Sequence, residues 1–290
     1  MDSIYKTKNR IKYFFDLIFF KILLKKSLNN KSELSVIFTN DYISNNIIAF
    51  NSYEKDILDA TFFFLKKFST KFKKGLAIDI GSNIGTHALY FSKKFNKVYT
   101  FEPHPKIFFV NKLNTENRNI FNYDIGLSNV KKKTFIHEEK NEDNMGGSSL
   151  HKRAKNRGTS YKVNINKLDN LNINLKNLSL IKIDTEGSEH DVINGARMTI
   201  NKYRPIIMFE LDFSIDQYGS KGVKSSALNF LKMINYDFYY PITRSTTNRF
   251  FIIRVSFYIL EFFFGRKINI KNIEKFKSSY YPVVIAVPKK

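Results

Sequence analysis

Asp79-Ile80-Gly81-Ser82-Asn83-Ile84-Gly85 is the stretch of this chain whose residue types and spacing first suggest chemistry. An aspartate at the tip of an apolar run can accept from a cationic group. Glycines at 81 and 85 permit a tight turn and the close approach of a ligand to backbone N–H groups at a helix start. Glu102 follows a second apolar run, twenty-three residues after Asp79, about the distance at which a nucleotide-binding fold sets an acid on ribose hydroxyls. The loop and the acid together point to a cofactor containing adenosine.

The glycine spacing narrows the choice. Gly81 and Gly85 form GxxxG, and Thr86 stands where a third glycine would complete GxGxxG; a nicotinamide or flavin dinucleotide is therefore disfavoured. No GKS or GKT sequence is present to cradle a triphosphate. An acid beside the glycine loop suits a ligand with an amino group and no phosphates, such as S-adenosylmethionine.

The elements that must carry these residues alternate. Short apolar runs at 76–80, 97–101, 121–126, 180–183 and 206–210 read as strands, and 84–94, 105–117 and 190–201 read as helices between them. Further on, 225–234 reads as a helix and 236–240 and 282–287 as strands. This alternation predicts an α/β fold with a parallel sheet covered on both faces, and ligands then bind at the carboxyl ends of the strands where the strand order reverses. The stretch 141–158, with Gly146-Gly147-Ser148-Ser149, reads as a loop.

Composition bounds the rest. A chain of 290 residues, 43% of them hydrophobic, has ample core for a globular fold. The formal charge of +22 would suit polyanions, yet only ten of the 48 basic residues are arginine. With Asn, Ile and Phe abundant, this matches an A/T-biased coding sequence better than a nucleic-acid binder. Absence of cysteine excludes disulfides, thiolate metal sites and cysteine nucleophiles. Residues 11–26 form a basic, apolar stretch, but Asp16 and Lys21 interrupt it and no small-x-small site follows, so it reads as a helix packed on the protein, on a second copy or on an anionic membrane rather than as a secretory signal. The apolar block 250–264 is too short to span a bilayer. It would serve as a cover over the active-site mouth, a subunit contact or a membrane-facing patch. These features predict a cytoplasmic protein, peripheral to the inner face of a membrane where the apolar segments reach it. Three parts are expected: a helical arm (1–60), a cofactor-binding domain (61–243 with 280–290) and a helical insertion (244–279).

Several strings resemble one family. Ile78-Asp79-Ile80-Gly81-Ser82-Asn83-Ile84-Gly85, Phe101-Glu102-Pro103, Ile125-Gly126-Leu127-Ser128, Gly146 to Leu150, Lys167-Leu168-Asp169, Ile181-Lys182-Ile183-Asp184-Thr185-Glu186-Gly187-Ser188-Glu189, Gly195-Ala196 and Phe209-Glu210 resemble the FkbM-type S-adenosylmethionine-dependent methyltransferases. The resemblance covers about 60–245 and the last strand. It implies a class I methyltransferase, Rossmann-like fold: a mostly parallel seven-stranded sheet with helices on both faces and an antiparallel last strand. It also implies O-methylation of a sugar, glycan or other small metabolite. Asp79, Gly81, Ser82, Asn83 and Gly85 would hold the methionine end, Glu102 and Pro103 the ribose, and Asp124 the adenine edge, unless Asp124 only closes the turn after its strand.

Methyl transfer to oxygen needs alignment, a dry site and a place for the hydroxyl proton. Asp184 would orient the acceptor or take its proton. Glu186 and Glu189, close in sequence, could raise one another's pKa, although Glu189 could instead favour the start of the helix near His190. His190 and His87 are alternative bases. Asp184, Glu186, Glu189, His190 and Glu210 could alternatively form an oxygen-rich metal site; the favoured reading has no metal. Competing readings are an RNA or DNA methyltransferase, with Lys131 to Lys133 and the basic residues of 152–157 tracking phosphates, and a non-catalytic protein that binds a membrane or partner.

Overall fold

The computed structural model describes residues 3–6, 43–44, 53–68, 72–116, 118–139, 157–212, 226–243, 251–277 and 279–289. The expected helix at 11–26 lies outside them, as does the expected loop at 141–158 except for 157 and 158, which are strand instead. In chain order the elements are β1 (Ser3–Lys6), α1 (Lys55–Leu65), β2 (Leu76–Ile80), α2 (Thr86–Ser92), β3 (Lys97–Phe101), α3 (Pro105–Asn114), β4 (Ile120–Tyr123), β5 (Gly126–Leu127), β6 (Lys132–Glu139) and β7 (Arg157–Asn166). They continue as β8 (Leu178–Ile183), α4 (Glu189–Asn194), α5 (Arg197–Tyr203), β9 (Ile206–Asp212), α6 (Ser226–Met233), β10 (Tyr236–Ile242), α7 (Phe251–Phe264), β11 (Lys267–Asn272) and β12 (Tyr280–Pro288).

The chain divides into two compact units, one of 1–34, 42–70 and 240–272 and the other of 35–41, 71–239 and 273–290. This differs from the three parts expected, because arm and insertion share a unit. The reason is a strand pairing: β1 runs antiparallel to β11, with Ser3 opposite Ile270 and Lys6 opposite Lys267. The insertion is therefore not purely helical, and α1 belongs with it through contacts to both strands.

In the larger unit seven strands adjoin in the order β10-β12-β9-β8-β2-β3-β4. Neighbours from β9 to β4 pair in parallel, and β12 runs against both β9 and β10. This is the mostly parallel sheet with an antiparallel last strand that the sequence predicts. Strands β2 and β8 are buried along almost their whole length, and so read as near-continuous apolar runs. The chain steps outward from β2 to β4 and then returns to the other side of β2 at β8, so the order reverses between β2 and β8.

Two sequence assignments change. The run 121–126 splits: β4 ends at Tyr123, and Gly126-Leu127 leave the large sheet to pair with Ile165-Asn166 in a three-stranded sheet, β5-β7-β6, which the sequence left unassigned. The helix expected at 190–201 is two, α4 and α5. A fresh helix start is stabilised there because the Asp169 carboxylate accepts from the backbone N–H groups of Met198 (2.9 Å) and Thr199 (2.8 Å). We expect Asp169→Ala to lower unfolding free energy by about 1–2 kcal/mol, seen as a lower urea midpoint at unchanged slope.

Candidate functional site

The reversal between β2 and β8 is bridged by charge. Asp79 on β2 lies in register with Lys182 on β8, and the ammonium stands 3.2 Å from an Asp79 carboxylate oxygen. The same nitrogen lies 3.2 Å from Asp184, just past β8, and donates to the carbonyl of Gly81 at 3.2 Å. Asp79 is fully buried and takes no well-aligned hydrogen bond from the described residues. Burial alone would push the Lys182 ammonium down, but Asp184 and then Asp79 outweigh it and hold it above the usual lysine range. Lys182 is thus a fixed cation joining the glycine loop to both acids. Asp79 thus has its cationic partner within the protein, where the sequence alone points to a ligand.

The glycine loop owes its shape to the protein as well as to any ligand. Gly81 has φ +69°, and a Cβ there would sit 1.7 Å from the carbonyl oxygen of Asp184. Glycine is therefore required at 81 by the chain leaving β8, whatever the loop binds. Beyond it, the buried Asn111 side chain donates to the Ser82 hydroxyl (2.8 Å) and to the Asn83 carbonyl (2.6 Å), and Asn114 donates to the Ile84 carbonyl (2.7 Å). Asn122 in turn donates to Asn111 (2.7 Å) and Thr100 (3.0 Å). These asparagines, which composition alone attributed to coding bias, fix the loop; the signal available was their position on α3 and β4 behind it.

Glu102 lies directly after β3 and is buried. One carboxylate oxygen accepts from the backbone N–H of Asn83 (3.1 Å), the other from that of His104 (2.9 Å). Burial pushes its pKa up to about 7, against the opposing pull of those two N–H groups and Lys182. Pro103 is half-buried beside it, and Asp124 is exposed just past β4 at the same end of the parallel strands.

The acids after β8 separate into different roles. Glu189 is buried, and one of its oxygens accepts from the backbone N–H groups of Thr185 (2.8 Å) and Gly187 (3.1 Å) and from the Thr185 hydroxyl (3.1 Å). It folds back to hold its own loop, in which Glu186 adopts a left-handed φ of 50°. Asp184 is 38% exposed at its side chain. The carboxyl pushed up furthest here is Glu210 on β9, to about 8, by burial first and then by the charges of Asp184, Glu186 and Glu189, with a hydrogen bond from Tyr280 opposing. Burial lowers His190 below its ordinary value, with Asp191 opposing and Arg197 assisting; His87 is buried against Phe91 on α2. Among the described residues no three His, Asp or Glu side chains gather so as to hold a metal.

The profile of the methyltransferase FkbM domain matches residues 79–238, from the buried aspartate of β2 to β10. The chain belongs to the FkbM methyltransferase family. Its domain takes in every acid described above. Among solved structures, methyltransferase FkbM from Methylobacillus flagellatus is similar with a TM-score of 0.40 and 14% identity, over 90% of this chain and 60% of that one. The chain thus spans 60% of that relative's length. Precorrin-6y C5,15-methyltransferase from Geobacter metallireducens aligns over 82% of this chain and 92% of its own with a TM-score of 0.38 and 11% identity. A tRNA (m1A58) methyltransferase from Aquifex aeolicus aligns over 91% and 74% with a TM-score of 0.37 and 9% identity. No curated protein matches the sequence.

Proposed function

We propose that this FkbM family member transfers a methyl group from S-adenosylmethionine to a hydroxyl of a sugar, glycan or other small metabolite. The observation that carries the reading is the pair of acids at the strand ends, Asp184 after Ile183 and Glu210 after Phe209, where Ile183 and Phe209 pair across β8 and β9. A hydroxyl acceptor must give up its proton, and a carboxyl that burial and neighbouring charge push up, as Glu210 is to about 8, can take it. The donor set fits the cofactor. Each Glu102 oxygen receives a single backbone N–H, which leaves acceptor capacity for two ribose hydroxyls. The buried Asp79 carboxylate likewise retains acceptor capacity. In this reading the 81–85 loop and Asp79 hold the methionine end, Glu102 and Pro103 the ribose, and Asp124 the adenine edge. The sulfonium supplies an activated methyl group. Asp184 orients the acceptor hydroxyl and Glu210 holds its proton.

Glu102 ties binding to pH. Ribose hydroxyls donate to an ionised carboxylate, so binding draws Glu102 down from about 7 and releases a proton when the free protein carries one. Affinity for S-adenosylmethionine should therefore fall as pH drops through 7. Titration calorimetry in buffers of different ionisation enthalpy should show the released proton, with NAD giving no binding. Glu102→Ala should weaken binding at least about tenfold and abolish the pH dependence. Failure of the folded protein to bind S-adenosylmethionine, or equal affinity in Glu102→Ala, would sink the reading.

A further inference from the structure

Helix α7 carries an apolar face that the protein leaves open. Ile252, Val255 and Ile259 recur at helical spacing, with Ile253, Leu260 and Phe264 alongside, and all six are exposed, Ile252 by 78% and Phe264 by 66%. Ser256, between the two rows, is exposed as well. Monomeric soluble proteins rarely present so continuous an apolar strip to water. Fourteen residues of helix reach about 21 Å, short of the roughly 30 Å hydrocarbon core, and among the described residues no helix is long and apolar enough to cross a membrane.

The charge around this face selects its occupant. Glu261 is the only acid between 251 and 272, and it is buried. The strand that leaves the helix through Gly265 begins Arg266-Lys267, and Lys267 and Lys271 are exposed. Lys6 of β1 stands opposite Lys267 in the strand pairing, and the whole chain carries +22. Two copies meeting through this face would bring these cations and two highly positive chains together, which like-charge repulsion opposes. An anionic bilayer meets both requirements, accepting apolar side chains at the acyl boundary and lysines at the headgroups.

We propose that α7 lies in the interface of an anionic lipid bilayer, with Ile252, Val255, Ile259 and Leu260 toward the acyl chains and Lys267 and Lys271 on the headgroups. Anionic lipids concentrate in the cytoplasmic leaflet, which makes the inner face of a membrane the docking site. The inference is independent of the methyl-transfer reading and stands or falls without it.

The test is co-sedimentation of the full chain with vesicles of phosphatidylcholine alone or with about one-third phosphatidylserine. Wild-type protein should pellet with the anionic vesicles, not with the neutral ones, and raised salt should release it. Ile259→Glu/Leu260→Glu places charge only at exposed positions, so its melting temperature should hold while partitioning drops at least about tenfold. Ser256→Glu, at a site already polar, should act in the same direction and covers the case in which the double variant misfolds. Binding that is absent, indifferent to phosphatidylserine or unchanged in both variants would overturn the proposal. So would a wild-type dimer in sedimentation equilibrium that the variants convert to monomer, because the face would then be a subunit contact.

Discussion

Lys182→Met should lower the unfolding free energy by about 3–5 kcal/mol, because it leaves Asp79 as an unpaired buried carboxylate. Methionine keeps most of the lysine stem, so the loss is electrostatic rather than a packing defect. The ammonium lies 3.2 Å from both Asp79 and Asp184, but the two acids differ in what they lose. Asp184 is partly exposed and can turn to water; Asp79 is fully buried and takes no aligned hydrogen bond from the described residues. For a domain whose whole stability is typically about 5–15 kcal/mol, such a loss lowers the melting temperature by roughly 10 °C. The double variant Asp79→Leu/Lys182→Met removes both charges and should regain most of the loss, since replacing a buried ion pair by apolar groups is often nearly neutral. Thermal melts of the two single variants and the double variant decide the matter. A Lys182→Met protein that melts with wild type, or a double variant no more stable than that single one, would show that this pair does not join β2 to β8.

Lys182 also marks where sequence reading stopped. The strands were legible because β2, β3 and β8 are buried on both faces and so appear as short β-rich runs, and Asp79, the 81–85 loop and Glu102 stand out because their spacing along one chain matches a nucleotide-binding pattern. Lys182 stands in the family-like string 181–189, but nothing local to it names its partner. Its meaning comes from register, which sets it opposite Asp79 on a strand about a hundred residues earlier. Glu189 shows the converse: its sequence position near Glu186 suggested mutual repulsion, while the backbone turn at Glu186 and Gly187 aims N–H groups at it. The β6–β7 ladder escaped notice because its strands are separated by a long stretch with no turn signature at hairpin spacing. The sharing of one unit by arm and insertion could not be read either, since the pairing of β1 with β11 spans nearly the whole chain.

Glu210→Gln should cut methyl transfer by about 10²- to 10⁴-fold, the usual contribution of a positioned general base, while making the protein more stable in alkali. The two effects share a cause. Burial and the charges of Asp184, Glu186 and Glu189 push Glu210 up to about 8, well above its value in an unfolded chain. Between about 4.5 and 8 the folded state therefore holds a proton that the unfolded state has released, and stability declines as pH rises through that window. Glutamine cannot ionise, so the variant should escape this decline and melt above wild type at pH 8 and beyond, with little difference at pH 4. Activity runs the opposite way in wild type: the base works only when ionised, so kcat/KM should climb with pH through about 8 and then level off. In Glu210→Gln the residual rate should lose that climb. The melts need no acceptor, and the rates are read with radiolabelled S-adenosylmethionine and the hydroxylated acceptor that a glycan screen yields. Conservation of the pH-dependent rise through about 8 in the variant would take the role of proton acceptor away from Glu210. An alkaline melt unchanged by Glu210→Gln would show that the carboxyl is not held up by its neighbours, and the assignment of Glu210 as the proton acceptor would fall with it.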